Sequence, residues 1–207
     1  MNVLEWKWKP TYWIQTGWSK LSFLWHVYLE LISLTSSFPG IRQSIVRGKS
    51  HNSHSFDTKN LQCLNELSNI LYTNINGKMV KSIKGELFDY LNYRTLAYMI
   101  MGDGARKNKG FVICLENFTL QEVVLLLNML AIKFNLEDLT IQTEDSKPSP
   151  FKKEKEEIKK IYRIYFGIEG TKTLLPFIKP YLLDHFDYRI SGMTKAQYEQ
   201  RGVKHKS

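Results

Sequence analysis

The sequence predicts an α+β protein made of a duplicated unit, with antiparallel strand pairs forming two curved sheets and helices laid on one side. Three observations carry this. Apolar residues recur at three- and four-residue spacing in separate stretches, as in Leu21, Leu24, Trp25, Tyr28, Leu31 and Ile32. Between those stretches lie short runs with strand-like content, bounded by turn residues. The order strand, helix, strand, strand, helix then occurs in both halves of the chain.

Taken in order, Thr11 to Gly17 alternates weakly and is rich in aromatics, which predicts a strand. A helix starts at Ser19 and keeps one broad apolar face to about Leu34, and Pro39-Gly40 closes that unit. Ile41 to Gly48 and Ser53 to Lys59 read as strands around a polar Gly-Lys-Ser-His-Asn turn, and Leu61, Leu64, Leu67 and Leu71 mark a second helix. Asn76-Gly77 opens a basic loop with Lys78, Lys81 and Lys84, followed by a short helical stretch to Leu91.

The second half begins with a helix over Tyr93 to Asp103, for which the first half shows no counterpart. Gly110 to Glu116 reads as a strand, and Thr119-x-x-Glu122 is a capping box opening an apolar helix that reaches Phe134. Leu136 to Thr143 and Lys160 to Ile168 pair as strands around residues 144–160, a charged hairpin extension without apolar periodicity. Thr171 to Leu183 is a helix that Pro176 and Pro180 kink or split. The expected organisation is an N-terminal extension (1–10), a first half (11–91), a second half (92–190) and a basic tail (191–207).

Bulk properties narrow the partner. With 207 residues, 43% of them hydrophobic, the chain can bury a sizeable core. A formal charge of +9 biases the partner toward a polyanion. Cys63 and Cys114 are isolated, so neither a disulfide framework nor a CxxC metal site is implied, and a reducing compartment fits. His51 and His54 have H-x-x-H spacing but sit at the expected turn, which argues against a metal site there. No apolar run reaches the roughly 18 residues of a membrane span, so no membrane association is expected. The N-terminus has neither an apolar signal core nor a small-residue cleavage site. Lysine outnumbers arginine 22 to 7, and Asn and Ile are abundant, as AT-rich organellar coding would produce.

Leu96-Ala97-Tyr98-Met99-Ile100-Met101-Gly102-Asp103-Gly104 resembles the second signature motif of two-motif LAGLIDADG homing endonucleases. Glu116 to Val124, Phe177 to Leu182 and Asp187 to Ile190 are similar to segments that follow it in that family, and Thr11 to Lys20 with Trp25-His26-Val27 look like its first half. The resemblance implies a duplicated fold whose two sheets form a nucleic-acid saddle, with the N-terminal half lacking its first helix. Met1 to Pro10 is too short for that helix and offers only Glu5 as an acid.

In the family, paired motif helices each end in a carboxylate, and the pair binds Mg²⁺, which activates water and neutralises charge on the phosphate. By resemblance Asp103 is one such acid, Gly102 the small residue of the helix contact and Gly104 a turn residue that tolerates positive φ. Glu116 is a second candidate metal ligand. Lys78 (or Lys81) and Arg189 fall where the family places basic active-site residues. Arg42, Lys49, Lys81, Lys84, Arg106, Lys107 and Lys109 are expected to line the nucleic-acid surface.

The expectation is a nucleic-acid-binding protein derived from a homing endonuclease, without cleavage activity. It would be reused on RNA, with DNA possible, in an organellar ribonucleoprotein such as the mitochondrial ribosome, or as a maturase. The alternative is an active, Mg²⁺-dependent, site-specific DNA endonuclease completed by a separate chain carrying the first motif helix. Ribosomal or other ribonucleoprotein proteins are the expected protein partners, and the mitochondrion the expected compartment.

Overall fold

A computed structural model describes residues 13–17, 21–46, 49–146 and 159–190. The expected N-terminal extension, the middle of the charged hairpin and the basic tail lie outside the described residues, as does Trp18. Internal packing divides the chain into two compact units, residues 1–69 and 70–207.

The first unit contains β1 (Trp13–Gly17), α1 (Leu21–Leu31), β2 (Gly40–Val46) and β3 (Lys49–Asp57), with α2 (Leu64–Leu71) running across its end. The strands form an antiparallel sheet in the order β1-β3-β2. Leu24, Tyr28 and Phe56 are its buried centre, joined by Ile14, Trp25, Val27 and Leu31. This is the apolar face expected from the helical spacing of α1. Edge-on aromatic contacts link Trp25, Tyr28 and Phe56, with ring centroids 5.4–5.7 Å apart.

The polar turn expected at Gly48 to Asn52 is not one. Lys49, Ser50, His51 and Asn52 belong to β3, and Val46 pairs with Lys49, so the connection shrinks to residues 47 and 48. Pairing with β2 satisfies the backbone there, and Gln43 Nε2 donates to Ser50 Oγ at 2.6 Å. Cross-strand partners thus decide the state of a segment whose intrinsic propensity favours turns.

The second unit opens with a hairpin, β4 (Tyr72–Ile75) and β5 (Lys78–Lys81), where a basic loop was expected. Asn76 and Gly77 both adopt positive φ, 50° and 81°, the two-residue turn that matches strand twist. The hairpin is tied back by Lys84 Nζ, which donates to the Tyr72 carbonyl at 2.6 Å. A single turn, α3 (Leu87–Tyr90), precedes α4 (Tyr93–Asp103), whose first turn is capped by Asn92 Oδ1 accepting from Thr95 N at 2.9 Å.

Two strands follow rather than the one expected, β6 (Gly104–Lys107) and β7 (Gly110–Cys114), then α5 (Leu120–Phe134), β8 (Leu139–Asp145), β9 (Lys160–Phe166) and α6 (Ile168–Ile178). The sheet order is β6-β7-β9-β8, antiparallel throughout. Within it β7-β9-β8 repeats the order of β1-β3-β2, which is the duplication read from the sequence. Ser146 N donates to the Lys159 carbonyl at 2.8 Å, closing the β8–β9 pair beyond its last strand rung.

One face of this sheet is covered by α4, α5 and α6, and Leu96, Ile100, Phe111, Ile113, Leu126, Leu130, Ile164, Phe166 and Leu174 are buried between the layers. α6 begins at Ile168 and ends at Ile178, not over Thr171 to Leu183. Pro176 is accommodated inside it, whereas Pro180 falls in a separate 3-10 turn, Lys179–Tyr181. Asp138 fixes the start of α6, its carboxylate accepting from Gly170 N at 2.9 Å and its carbonyl from Gly167 N at 3.1 Å.

Candidate nucleic-acid interface

The signature segment is α4, and it delivers Asp103 at its last position with the side chain exposed. A carboxylate at that end opposes the helix dipole, whose C-terminus is the negative pole. The compensation comes from Arg189, which is 7% exposed. Its Nη1 donates to the carbonyls of Ile100 at 2.5 Å and Met101 at 3.2 Å, in the last turn of the same helix. Arg189, expected among basic active-site groups, is thus engaged as a cation capping the helix that carries Asp103.

Gly104 also differs from expectation. Its φ is −77°, ordinary extended backbone, so positive φ is not the reason for glycine. Space is the reason, because a Cβ at this position would sit 2.5 Å from the Ile100 carbonyl oxygen. Gly102 is open by contrast, with nothing within 4 Å of a Cβ built there.

Glu116 is exposed just after β7 and Leu115. Its charge and that of Asp103 both reach the Cys114 side chain. Burial raises the Cys114 pKa above 9.0, the nearby Glu116 and Asp103 charges raise it further, and Arg163 opposes them. The two candidate metal ligands therefore act on one locality. Among the described residues no three His, Cys, Asp or Glu side chains gather to hold a metal ion. Two exposed carboxylates with hard oxygen donors nevertheless suit Mg²⁺, which binds through one or two protein carboxylates and keeps places for water and phosphate.

The predicted cations scatter over several elements. Lys78 and Lys81 are exposed on β5, while Lys84 is half-buried and bonded to the hairpin backbone. Lys109 is exposed in the β6–β7 turn. Arg42 and Lys49 occupy β2 and β3, opposite Ser53 and Val46, and their side chains lie outside what is described.

Register decides the rest. Residues directly opposite in a sheet share a face. Arg106 pairs with Phe111, so it belongs to the helix-covered face and not to the open one as expected. The open face instead carries Ala105, Lys107, Val112, Cys114, Thr140, Gln142, Glu144, Ile161, Arg163 and Tyr165. Only Lys107 of these was foreseen as a nucleic-acid contact. The alternation Ile161, Arg163, Tyr165 against Tyr162, Ile164, Phe166 is the signal that could have found Arg163. On that face Glu144 Oε1 lies 2.7 Å from Arg163 Nη1 and 3.4 Å from Lys107 Nζ.

A signature helix ending in an exposed acid thus stands beside a four-stranded sheet with helices over one face. Residues 10–174 match the LAGLIDADG DNA endonuclease family, and the chain belongs to it. It is 28% identical over 173 residues to the cytochrome b mRNA maturase bI2 of Debaryomyces hansenii, covering 83% of this chain and 60% of that one. It is 30% identical over 118 residues to probable intron-encoded endonuclease 1 of Wickerhamomyces canadensis, covering 53% of this chain and 45% of that one. The chain thus spans about half the length of these relatives. The homing endonuclease I-WcaI, solved bound to its DNA recognition sequence, shares the fold with a TM-score of 0.70 at 22% identity, over 91% of this chain and 78% of that one.

Proposed function

We propose that this protein is an intron-encoded nucleic-acid binder of maturase type, which engages RNA through the open face of its four-stranded sheet. The observation that carries this reading is the segregation of that sheet, with three helices over one face and Lys107, Arg163, Gln142, Thr140 and Tyr165 on the other. The formal charge of +9 supports it, since phosphate neutralisation dominates such affinities. The likeness to a maturase and to intron-encoded endonucleases favours an intron transcript, and with it an organellar setting, over the ribosome.

Cleavage of DNA is the second reading, favoured by the exposed Asp103 at the end of the signature helix. Asp103 and Glu116 would hold Mg²⁺, which when bound supplies a water nucleophile and offsets phosphate charge. Lys78 and Lys81 would contact the backbone phosphates, and Arg189 keeps the last helical turn, and thus Asp103, in place.

Crosslinking in organelle extract tests the first reading: recovery of intron RNA is expected, recovery of ribosomal RNA would select a ribosomal role, and recovery of no RNA would overturn it. Incubation with intronless organellar DNA and Mg²⁺ tests the second. Specific cuts abolished by Asp103→Asn would establish a nuclease.

A further inference from the structure

On the open sheet face a single carboxylate oxygen is shared by two cations. Glu144 Oε1 forms an ion pair with Arg163 Nη1 at 2.7 Å and accepts a hydrogen bond from Lys107 Nζ at 3.4 Å. Lys107 lies on edge strand β6, Arg163 on central β9 and Glu144 on the opposite edge β8, so the three side chains converge across the sheet from both sides. Cys114 on β7 sits directly opposite Arg163 across the β7–β9 pair.

This cluster is not fully satisfied. Arg163 Nε is buried and makes no hydrogen bond, and neither does the buried Oε1 of Gln142, whose residue sits directly opposite Arg163. Buried polar groups are normally paired, so these atoms keep capacity for a further partner. A guanidinium offers five donors in a planar fork that matches the oxygens of a phosphate bidentately. One oxygen of Glu144 uses only part of that capacity. The carboxylate side chain is 47% exposed, so the ion pair is screened by water and exchanges readily.

We infer that Arg163 and Lys107 form a phosphodiester-binding site on the sheet, and that Glu144 occupies it as a built-in anion which a nucleic-acid phosphate must displace. Glu144 therefore weakens indiscriminate attachment to any polyanion, because each phosphate entering the site first competes with a tethered carboxylate. A target whose other contacts align with the sheet supplies that competition, and random sequence does not. The inference rests on the proposed nucleic-acid-binding role and adds to it a named site and a brake.

The test is equilibrium binding of the full chain to a mixed-sequence RNA duplex and a mixed-sequence DNA duplex across a KCl series, by fluorescence anisotropy. Glu144→Gln is expected to bind about three- to tenfold tighter at low salt, with the slope of log K against log salt steeper by about one to two phosphate contacts. Glu169→Gln, which removes an equal charge from an exposed pair with Lys172 on α6, is expected to change neither. Arg163→Met is expected to bind more weakly and to abolish the effect of Glu144→Gln in the double variant. Unchanged affinity and slope for Glu144→Gln overturn the inference, as does an equal gain from Glu169→Gln. If the unmodified chain binds neither duplex at low salt, the proposed nucleic-acid-binding role itself fails, a separate and recognisable outcome.

Discussion

Asp103 sits where a carboxylate costs stability, at the negative end of α4. The proposed metal-binding role would account for an acid at that costly position. The expected consequence is that Asp103→Asn raises stability by about 0.3–1 kcal/mol in urea denaturation. A loss instead would mean that the acid is structural. Arg189 behaves in the opposite way. Removing its guanidinium by Arg189→Met leaves the Ile100 and Met101 carbonyls without the donor they share, and should cost about 2–4 kcal/mol by the same measurement. Arg189→Lys should recover only part, since an ammonium lacks the fork. The sequence showed both residues as charged groups in family-like positions. It could not show that one restrains the helix carrying the other, because the two are 86 positions apart and the contact is made to backbone, which leaves no mark in residue identity.

Among elements, those governed by local chemistry were legible and those governed by pairing were not. The Thr119–Glu122 capping box forms as read, with Thr119 N donating to Glu122 Oε2 at 2.8 Å, and α5 runs to Phe134 before Asn135 ends it in the left-handed region. The same carboxylate accepts from Ile83 N at 3.0 Å, a long-range bond the capping motif does not announce. Burial pushes the Glu122 pKa up, but the hydrogen bonds from Thr119 and Ile83 outweigh it and leave it below 4.5. A lowered folded value means that the stabilisation is present above the unfolded pKa and fades as pH falls through the folded one. Glu122→Gln should therefore cost about 0.5–1 kcal/mol at pH 7, and the gap between its thermal unfolding curve and the parent's should close only as pH falls through the folded pKa of Glu122, itself below 4.5. A constant gap across that range would show that charge is not involved. The missed strands, β4, β5 and β6, are four residues each, too short for alternation to register. Their turns nevertheless carried a signal, since Asn76, Gly77 and Asn108 all adopt positive φ. Asn-Gly between short runs is a stronger hairpin marker than the lysines after it are a loop marker.

At the scale of the molecule, duplication was legible because the same strand order recurs, β1-β3-β2 and β7-β9-β8. The open face was only partly legible. Choosing basic residues by type selected Arg106, whose register turns it to the covered face, and passed over Arg163, whose register turns it outward. The division by packing falls at Asn69, so the β4–β5 hairpin belongs to the second unit, although the boundary expected from sequence was Leu91. The second unit has its own sheet and three covering helices, with a core drawn from all of them. Residues 70–190 expressed alone should accordingly fold and melt cooperatively by circular dichroism. A broad, featureless melt would mean that this core needs the residues before it.

The rung between Ser146 and Lys159 has a practical corollary. The backbone is paired at Ser146 and Lys159, so the two ends of the chain between them are already held side by side. The entropy of closing such an excursion grows only logarithmically, by about 0.6 kcal/mol for each doubling of its length. Sequence can therefore be lengthened, shortened or exchanged there at little cost to the scaffold. The stretch between these two residues is therefore the natural graft point for a reporter dye or an affinity peptide, and a place where descendants of one ancestor can diverge in size while their sheets stay superimposable.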